Sequence, residues 1–115
     1  MMKLLLVFLG GGTGSCLRYL LSLLFHTPFA TFTANILGCL IIGALSSLIS
    51  NAEWKLLLVT GFCGGFTTFS TFSNETTAML RNGDTMQAIC YIAASIIFGI
   101  LAVFAGAWFA QNLKT

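Results

Sequence analysis

Between Lys55 and Glu75 the chain has no charged side chain, yet it carries Gly61-Phe62-Cys63-Gly64-Gly65-Phe66-Thr67-Thr68-Phe69-Ser70-Thr71-Phe72-Ser73. Phe66, Phe69 and Phe72 recur every three residues, so on a helix their rings cover about a third of the surface. Thr67, Ser70, Thr71 and Asn74 line the adjoining face. Aromatic rings are negative on their faces and positive at their edges. Rings turned edge-on beside hydroxyls can hold a small anion without a fixed positive charge. Such moderate binding suits conduction, in which an ion must leave as readily as it enters. The chemistry on offer is passage of a small polar solute.

These residues must be positioned by membrane spans. Of 115 residues, 57% are hydrophobic and only 7% charged, with a mean hydropathy of +0.96. Soluble domains carry about 25% charged residues, so the composition is that of an integral membrane protein. A formal charge of +2, from five basic and three acidic residues, supports no nucleic-acid partner. Spans of about 20 residues are needed to cross a bilayer core. The turn signals place four of them, at 4–25, 29–49, 54–80 and 85–109, in a single all-α domain covering 1–115. The short links at His26-Thr27-Pro28, Ser50 to Glu53 and Arg81-Asn82-Gly83-Asp84 make neighbouring spans antiparallel. Lys3 precedes an apolar run, Leu4 to Leu9, that is short for a signal peptide and resumes from Tyr19 to Phe25, so it is read as a retained span.

Glycine-broken backbone at membrane depth survives only where protein or a polar cavity covers it. The third span is accordingly expected to be interrupted at Cys63-Gly64-Gly65. Lys3, Lys55 and Lys114 fall on one side of the membrane, and Arg18 with Arg81 on the other. That balance is feeble for a rule needing an excess of Lys and Arg on one side, and it permits insertion in both orientations and an antiparallel dimer. Four cysteines, Cys16, Cys39, Cys63 and Cys90, lie one per span and are expected to be small buried thiols.

Each span also contributes polar exceptions. Gly10, Gly11, Gly12, Gly14 and Ser15 let another backbone approach the first span closely. Arg18, one turn later, must face protein, water or the interface, because arginine is costly at the bilayer centre. Asn35 in the second span either bonds a neighbouring helix or donates to a passing anion, and spacing leaves both open. In the fourth span Tyr91 and Ser95, four residues apart, could present two hydroxyls to one chamber. The alternative reading takes the whole stripe Tyr91, Ser95, Gly99, Ala102, Gly106 as a small-residue packing seam with a tyrosine near one end.

With the Gly61–Ser73 run in hand, the chain resembles the CrcB/Fluc family of fluoride channels over essentially its full length. Gly11-Gly12-Thr13-Gly14-Ser15-Cys16-Leu17-Arg18-Tyr19, Thr31-Phe32-Thr33-Ala34-Asn35, and Tyr91 with Ser95 agree with that family's pattern. The resemblance implies a dual-topology antiparallel homodimer in the inner, or plasma, membrane, with two anion pathways lined by both subunits. It implies that Phe69 and Phe72 are the edge-on rings of a fluoride path. Asn35, Tyr91 and Ser95 would stand beside that path, with Thr31, Ser70 and Thr71 as further lining. It further implies a structural sodium ion at the dimer centre, held by the backbone carbonyls of Gly64 and Thr67. Arg18 matches the family's arginine. Ala30 and Phe66 depart from the family's usual glycine and commoner leucine, Gly99 stands where some members carry a serine, and none removes a proposed ligand.

The implied function is passive fluoride export. Two other classes compete with it. A small proton-coupled multidrug exporter of four spans needs a carboxylate in its membrane core, and Glu75 is the one candidate. A structural subunit of a larger complex would use the glycine faces but leaves the ring and hydroxyl stripe unexplained. No nucleotide-binding loop or catalytic constellation is present, so the chain is not read as an enzyme.

Overall fold

A computed structural model describes residues 1–114. Helix α1 spans Met2–Leu24 and α2 spans Phe29–Leu48. The third span, Ala52–Arg81, is a composite. It begins as α3 (Ala52–Lys55), widens into a π-helical stretch over Leu56–Cys63, tightens into α4 (Gly64–Phe66), and resumes as α5 (Phe69–Arg81). Helix α6 runs over Thr85–Lys114, past the expected end at Phe109. Four helical segments are thus long and apolar enough to cross a membrane.

Local chemistry sets the ends of these helices. The Asn51 side chain accepts from the backbone N–H of Glu53 (2.9 Å) and Trp54 (3.1 Å), capping α3. After α5, Gly83 takes φ +83°, which only glycine adopts freely. Gly83 N–H then reaches Leu80 O at 3.2 Å and Asp84 N–H reaches Met79 O at 2.8 Å, closing both orphan carbonyls and turning the chain into α6.

Small residues take many of the interior positions, beside the buried large side chains of Phe66, Met79 and Tyr91. Ala34, Ala88 and Ala110 are wholly buried, while Phe8, Phe69, Phe104 and Trp108 are exposed. In lipid, large apolar side chains gain little by turning inward, so helices associate through backbone proximity. Helix α1 packs on the third span in this way. A Cβ on Gly10 would strike Leu57 O and Phe62 N, and one on Gly14 would strike Phe62 O and Phe66 N. The facing glycine, Gly65, abuts the Gly11 carbonyl. Helices α2 and α6 form a second seam, where Gly43 meets the Val103 carbonyl and Gly106 meets Leu40 O and Ala44 N.

Two sequence expectations are corrected. Cys63 and Gly64 are regular right-handed helix (φ −63°, ψ −38° and φ −62°, ψ −38°), and helical structure continues through Phe66. It stops at Thr67 (φ −89°, ψ 158°) and Thr68 (φ −152°, ψ 115°), both extended. Gly65 serves close packing against the Gly11 carbonyl of α1 rather than interruption, and extended backbone is comfortable for threonine. The cysteines also differ from expectation. Cys63 is buried and Cys39 half-buried, but Cys16 and Cys90 are exposed on the outer faces of α1 and α6.

The seam predicts contrasting glycine variants. Gly14→Ala overpacks a backbone contact and should destabilise the detergent-solubilised protein by about 1–3 kcal/mol. Gly12 has open space around its Cβ position, so Gly12→Ala should be neutral or stabilising by up to ~1 kcal/mol through helix propensity. Equal thermal unfolding temperatures for the two variants would contradict this packing.

Candidate functional site

The extended pair Thr67-Thr68 diverts the hydrogen bonds that an unbroken helix would make, and side chains from three directions take them up. Thr68 N–H, which would serve Gly64 O, donates to Asn35 Oδ1 at 2.7 Å. Asn35 Nδ2 in turn donates to Thr68 O at 3.2 Å. This reciprocal pair fixes the amide orientation, and it answers one open alternative: Asn35 bonds a neighbouring span. Thr71 N–H, which would serve Thr67 O, donates instead to Thr68 Oγ1 at 3.1 Å, the N-cap of α5. Gly65 O, whose helical donor would be Phe69 N–H, accepts from Arg18 Nε at 3.1 Å and Ser15 Oγ at 3.4 Å. Arg18 is half-buried and faces protein.

Two cavities meet at this break. A groove of about 460 Å3 between α2 and the third span is lined by Asn35, Cys39, Gly64, Thr67, Thr68 and Phe69 among others. A narrower cavity of about 180 Å3 is lined by Arg18, Tyr19, Thr31, Thr68, Thr71 and Glu75 among others. Thr68 belongs to both walls. The first cavity is mainly apolar; the second gathers hydroxyls together with one cation and one carboxylate.

Glu75 is committed to internal bonds. Thr31 Oγ1 donates to its Oε2 at 2.7 Å, and Tyr91 OH donates to its Oε1 at 2.6 Å. One carboxylate thereby ties α2, α5 and α6 together. Tyr91 also packs its ring on Phe72, with centroids 5.0 Å apart and planes tilted 55°. Phe72 continues to Phe69, at 5.9 Å and 42°. The outer ring, Phe69, is 79% exposed.

The remaining sequence candidates fall around this frame. Ser70 is exposed, with its Oγ 3.2 Å from Thr68 Oγ1. Thr71 bonds the same oxygen at 3.1 Å. Ser95 lies one turn from Tyr91 on α6, its buried Oγ without a hydrogen-bond partner among the described residues. The two hydroxyls therefore part company: Tyr91 serves Glu75, and Ser95 is left as an open donor. Gly64 and Thr67 are the two residues whose carbonyls lose their helical donors to Asn35 and Thr68. Both line the larger groove, and nothing lies within 4 Å of a Cβ placed on Gly64. Such freed carbonyl oxygens suit a hard monovalent cation such as sodium.

Two central residues escaped the sequence reading. Thr68 carries five of the bonds at the break, and its signal was a threonine directly before a renewed apolar period. Ser15 was read only as a small packing residue; nothing in α1 alone points its hydroxyl at Gly65.

The profile of the CrcB-like protein family, Camphor Resistance (CrcB), matches residues 5–107. The chain belongs to this family. Among its CrcB-like relatives is the fluoride-specific ion channel FluC of Phocaeicola vulgatus, 47% identical over 96% of this chain and 100% of that protein. The protein of the same name from Gloeothece citriformis is 48% identical over 97% of this chain and 99% of its own. That from Leptospira interrogans serovar copenhageni is 44% identical over 96% and 95%. With its four apolar spans, this CrcB-like chain is a multi-pass membrane protein and not an enzyme.

If Asn35 holds the Thr68 peptide, Asn35→Ala should speed hydrogen exchange at the Thr68 amide by roughly tenfold, one hydrogen bond's worth. Amides in the middle of α6 should exchange as before. An unchanged Thr68 amide would mean that the pairing does not persist in the membrane.

Proposed function

We propose that the protein is a fluoride-selective anion channel that passively exports fluoride from the cytoplasm across the inner, or plasma, membrane. The observation that carries this is full-length likeness to proteins named fluoride-specific ion channels. The geometry supplies a mechanism compatible with it. Phe69 and Phe72 stand as a tilted ring pair beside the hydroxyls of Ser70 and Thr71. Their positive edges offer moderate attraction to a small anion. The unpartnered Ser95 hydroxyl, and Asn35 through its second amide hydrogen, are donors to an ion moving along the rings. Thr31 and Tyr91 take part through Glu75, which orders them.

Fluoride enters cells as the neutral acid and dissociates inside. A negative-inside potential then drives the anion outward with about 2.3 kcal/mol per unit charge per 100 mV. No coupling to another ion is required.

The working unit is a dual-topology antiparallel homodimer, with the larger groove and exposed Phe69 facing the second copy. Weak Lys and Arg asymmetry and the openness of the groove around Gly64 support that arrangement. Sodium, held by the Gly64 and Thr67 carbonyls of both copies, would supply positive charge at the centre of the assembly. Within one chain, Asn35 and Thr68 free these carbonyls by diverting their helical donors.

The test is fluoride efflux from liposomes holding the purified protein, with chloride-loaded vesicles as control. Phe69→Ile and Phe72→Ile should each lower fluoride flux about tenfold, the scale of one aromatic contact, while the protein stays folded and dimeric. Replacing sodium by a large organic cation should inactivate the channel or loosen the dimer. Glu75→Gln should retain fluoride flux if that residue orders hydroxyls. Proton-driven dye efflux that vanishes in the same variant would instead establish the multidrug exporter.

A further inference from the structure

Gly11, Ser15 and Arg18 are spaced four and three residues apart, which puts them on one stripe of α1. All three meet one residue of the third span. The Gly11 carbonyl abuts Gly65, and Ser15 Oγ and Arg18 Nε both donate to Gly65 O, at 3.4 and 3.1 Å. That oxygen lies at the C-terminal end of α4, where helical carbonyls carry partial negative charge and lack intrahelical donors. A cation belongs there, but the contact made is a directed N–H bond from Nε to one carbonyl. Arg18 also lines the 180 Å3 cavity, which it shares with the Glu75 carboxylate.

We propose that Arg18 is a positioning residue whose Nε–H clamps the Gly65 carbonyl, and that it serves the anion path through this backbone group, not as a charge that binds the anion. Gly65 stands between Gly64 and Thr67, two residues that line the larger groove. Clamping Gly65 from the α1 side fixes the rotation of this last turn and hence the direction of its neighbours. Asn35 holds the next peptide, Thr68, from the α2 side. The break is thereby gripped from both flanks, and the clamp from α1 is the one the anion-path residues named above do not include. It also keeps a carbonyl dipole from turning toward the polar cavity, where it would repel an anion.

Bond counting makes the idea testable. Glutamine places Nε2 the same number of bonds from Cα as the arginine Nε, so Arg18→Gln keeps a neutral N–H donor in place. Arg18→Met puts a methyl there, and Arg18→Lys keeps the charge but moves the donor one atom outward. Only Gly61-Phe62 and Gly65-Phe66 are Gly-Phe pairs in this chain. Labelling glycine carbonyls with 13C and phenylalanine with 15N therefore isolates the Gly65 carbonyl in solid-state NMR, with Gly61 as internal control.

The clamp predicts that the Gly65 carbonyl signal moves upfield in Arg18→Met and stays near the wild-type position in Arg18→Gln. Gly61 should not move. Fluoride flux should fall at least about tenfold in Arg18→Met, stay within about threefold of wild type in Arg18→Gln, and lie between these in Arg18→Lys. The idea is overturned if Arg18→Lys conducts as wild type while Arg18→Gln is as poor as Arg18→Met, or if the Gly65 signal is unmoved in all three. Should Arg18→Met fail to fold, the ranking of Gln against Lys decides alone. The flux arm rests on the proposed channel function. Absence of fluoride flux in the wild-type protein would end that reading, and the carbonyl signal would still decide whether Arg18 holds Gly65.

Discussion

A peptide group without a hydrogen-bond partner in a bilayer costs several kcal/mol, because lipid offers nothing in exchange. The third span leaves helical geometry at Thr67 and Thr68 and so creates several such groups at once. Much of the remaining architecture meets that demand. Asn35 reaches from α2 to both polar atoms of the Thr68 peptide. Arg18 and Ser15 reach from α1 to Gly65 O, and Thr68 caps the renewed helix with its own hydroxyl. The reaches from α1 are short because α1 lies backbone to backbone against the third span. The glycines at 10, 14, 61 and 65 are thus the condition under which Arg18 and Ser15 can meet Gly65 O.

Satisfying the break also selects which oxygens remain free. Every donor diverted to Asn35 or Thr68 is one that a neighbouring carbonyl no longer has. Gly64 and Thr67 lose theirs and lie along an open groove, whereas Gly65, turned toward α1, is sealed. A similar division governs the hydroxyls. Thr31 and Tyr91 are drawn to Glu75, while the buried Ser95 hydroxyl has no partner among the described residues. Glu75 therefore links three helices and orients Tyr91 against Phe72, which in turn sits against Phe69. A carboxylate in the membrane that looks like a coupling group in the linear sequence accepts, in place, hydrogen bonds from Thr31 and Tyr91.

The class of protein, its four apolar segments and its turns were legible because they depend on composition and local chemistry. Gly83 needed only its own backbone freedom to close the α5–α6 turn. The break itself was misplaced by a few residues. Glycines at 64 and 65 look like helix breakers in isolation, and the use of Gly65 as contact surface becomes visible only once the Gly11 backbone lies opposite. Tyr91 and Ser95 share a helix face as their spacing required, yet they do not share a partner, because Glu75 approaches only one of them.

From sequence alone came the membrane character of the chain, the order of its spans, the stripe of rings beside hydroxyls and the faces on which polar residues fall. Periodicity fixes which side chains stand together on one helix, since the helical repeat is a local property. It carries no information on what stands opposite, because that depends on how helices far apart in the chain rotate and dock. Tertiary structure alone decided that Asn35 answers Thr68, that Arg18 answers Gly65, and that Glu75 gathers Thr31 and Tyr91. Each pairing spans at least one helix-length of sequence or joins separate helices, and each forms because a buried polar group in lipid must find its partner within the protein.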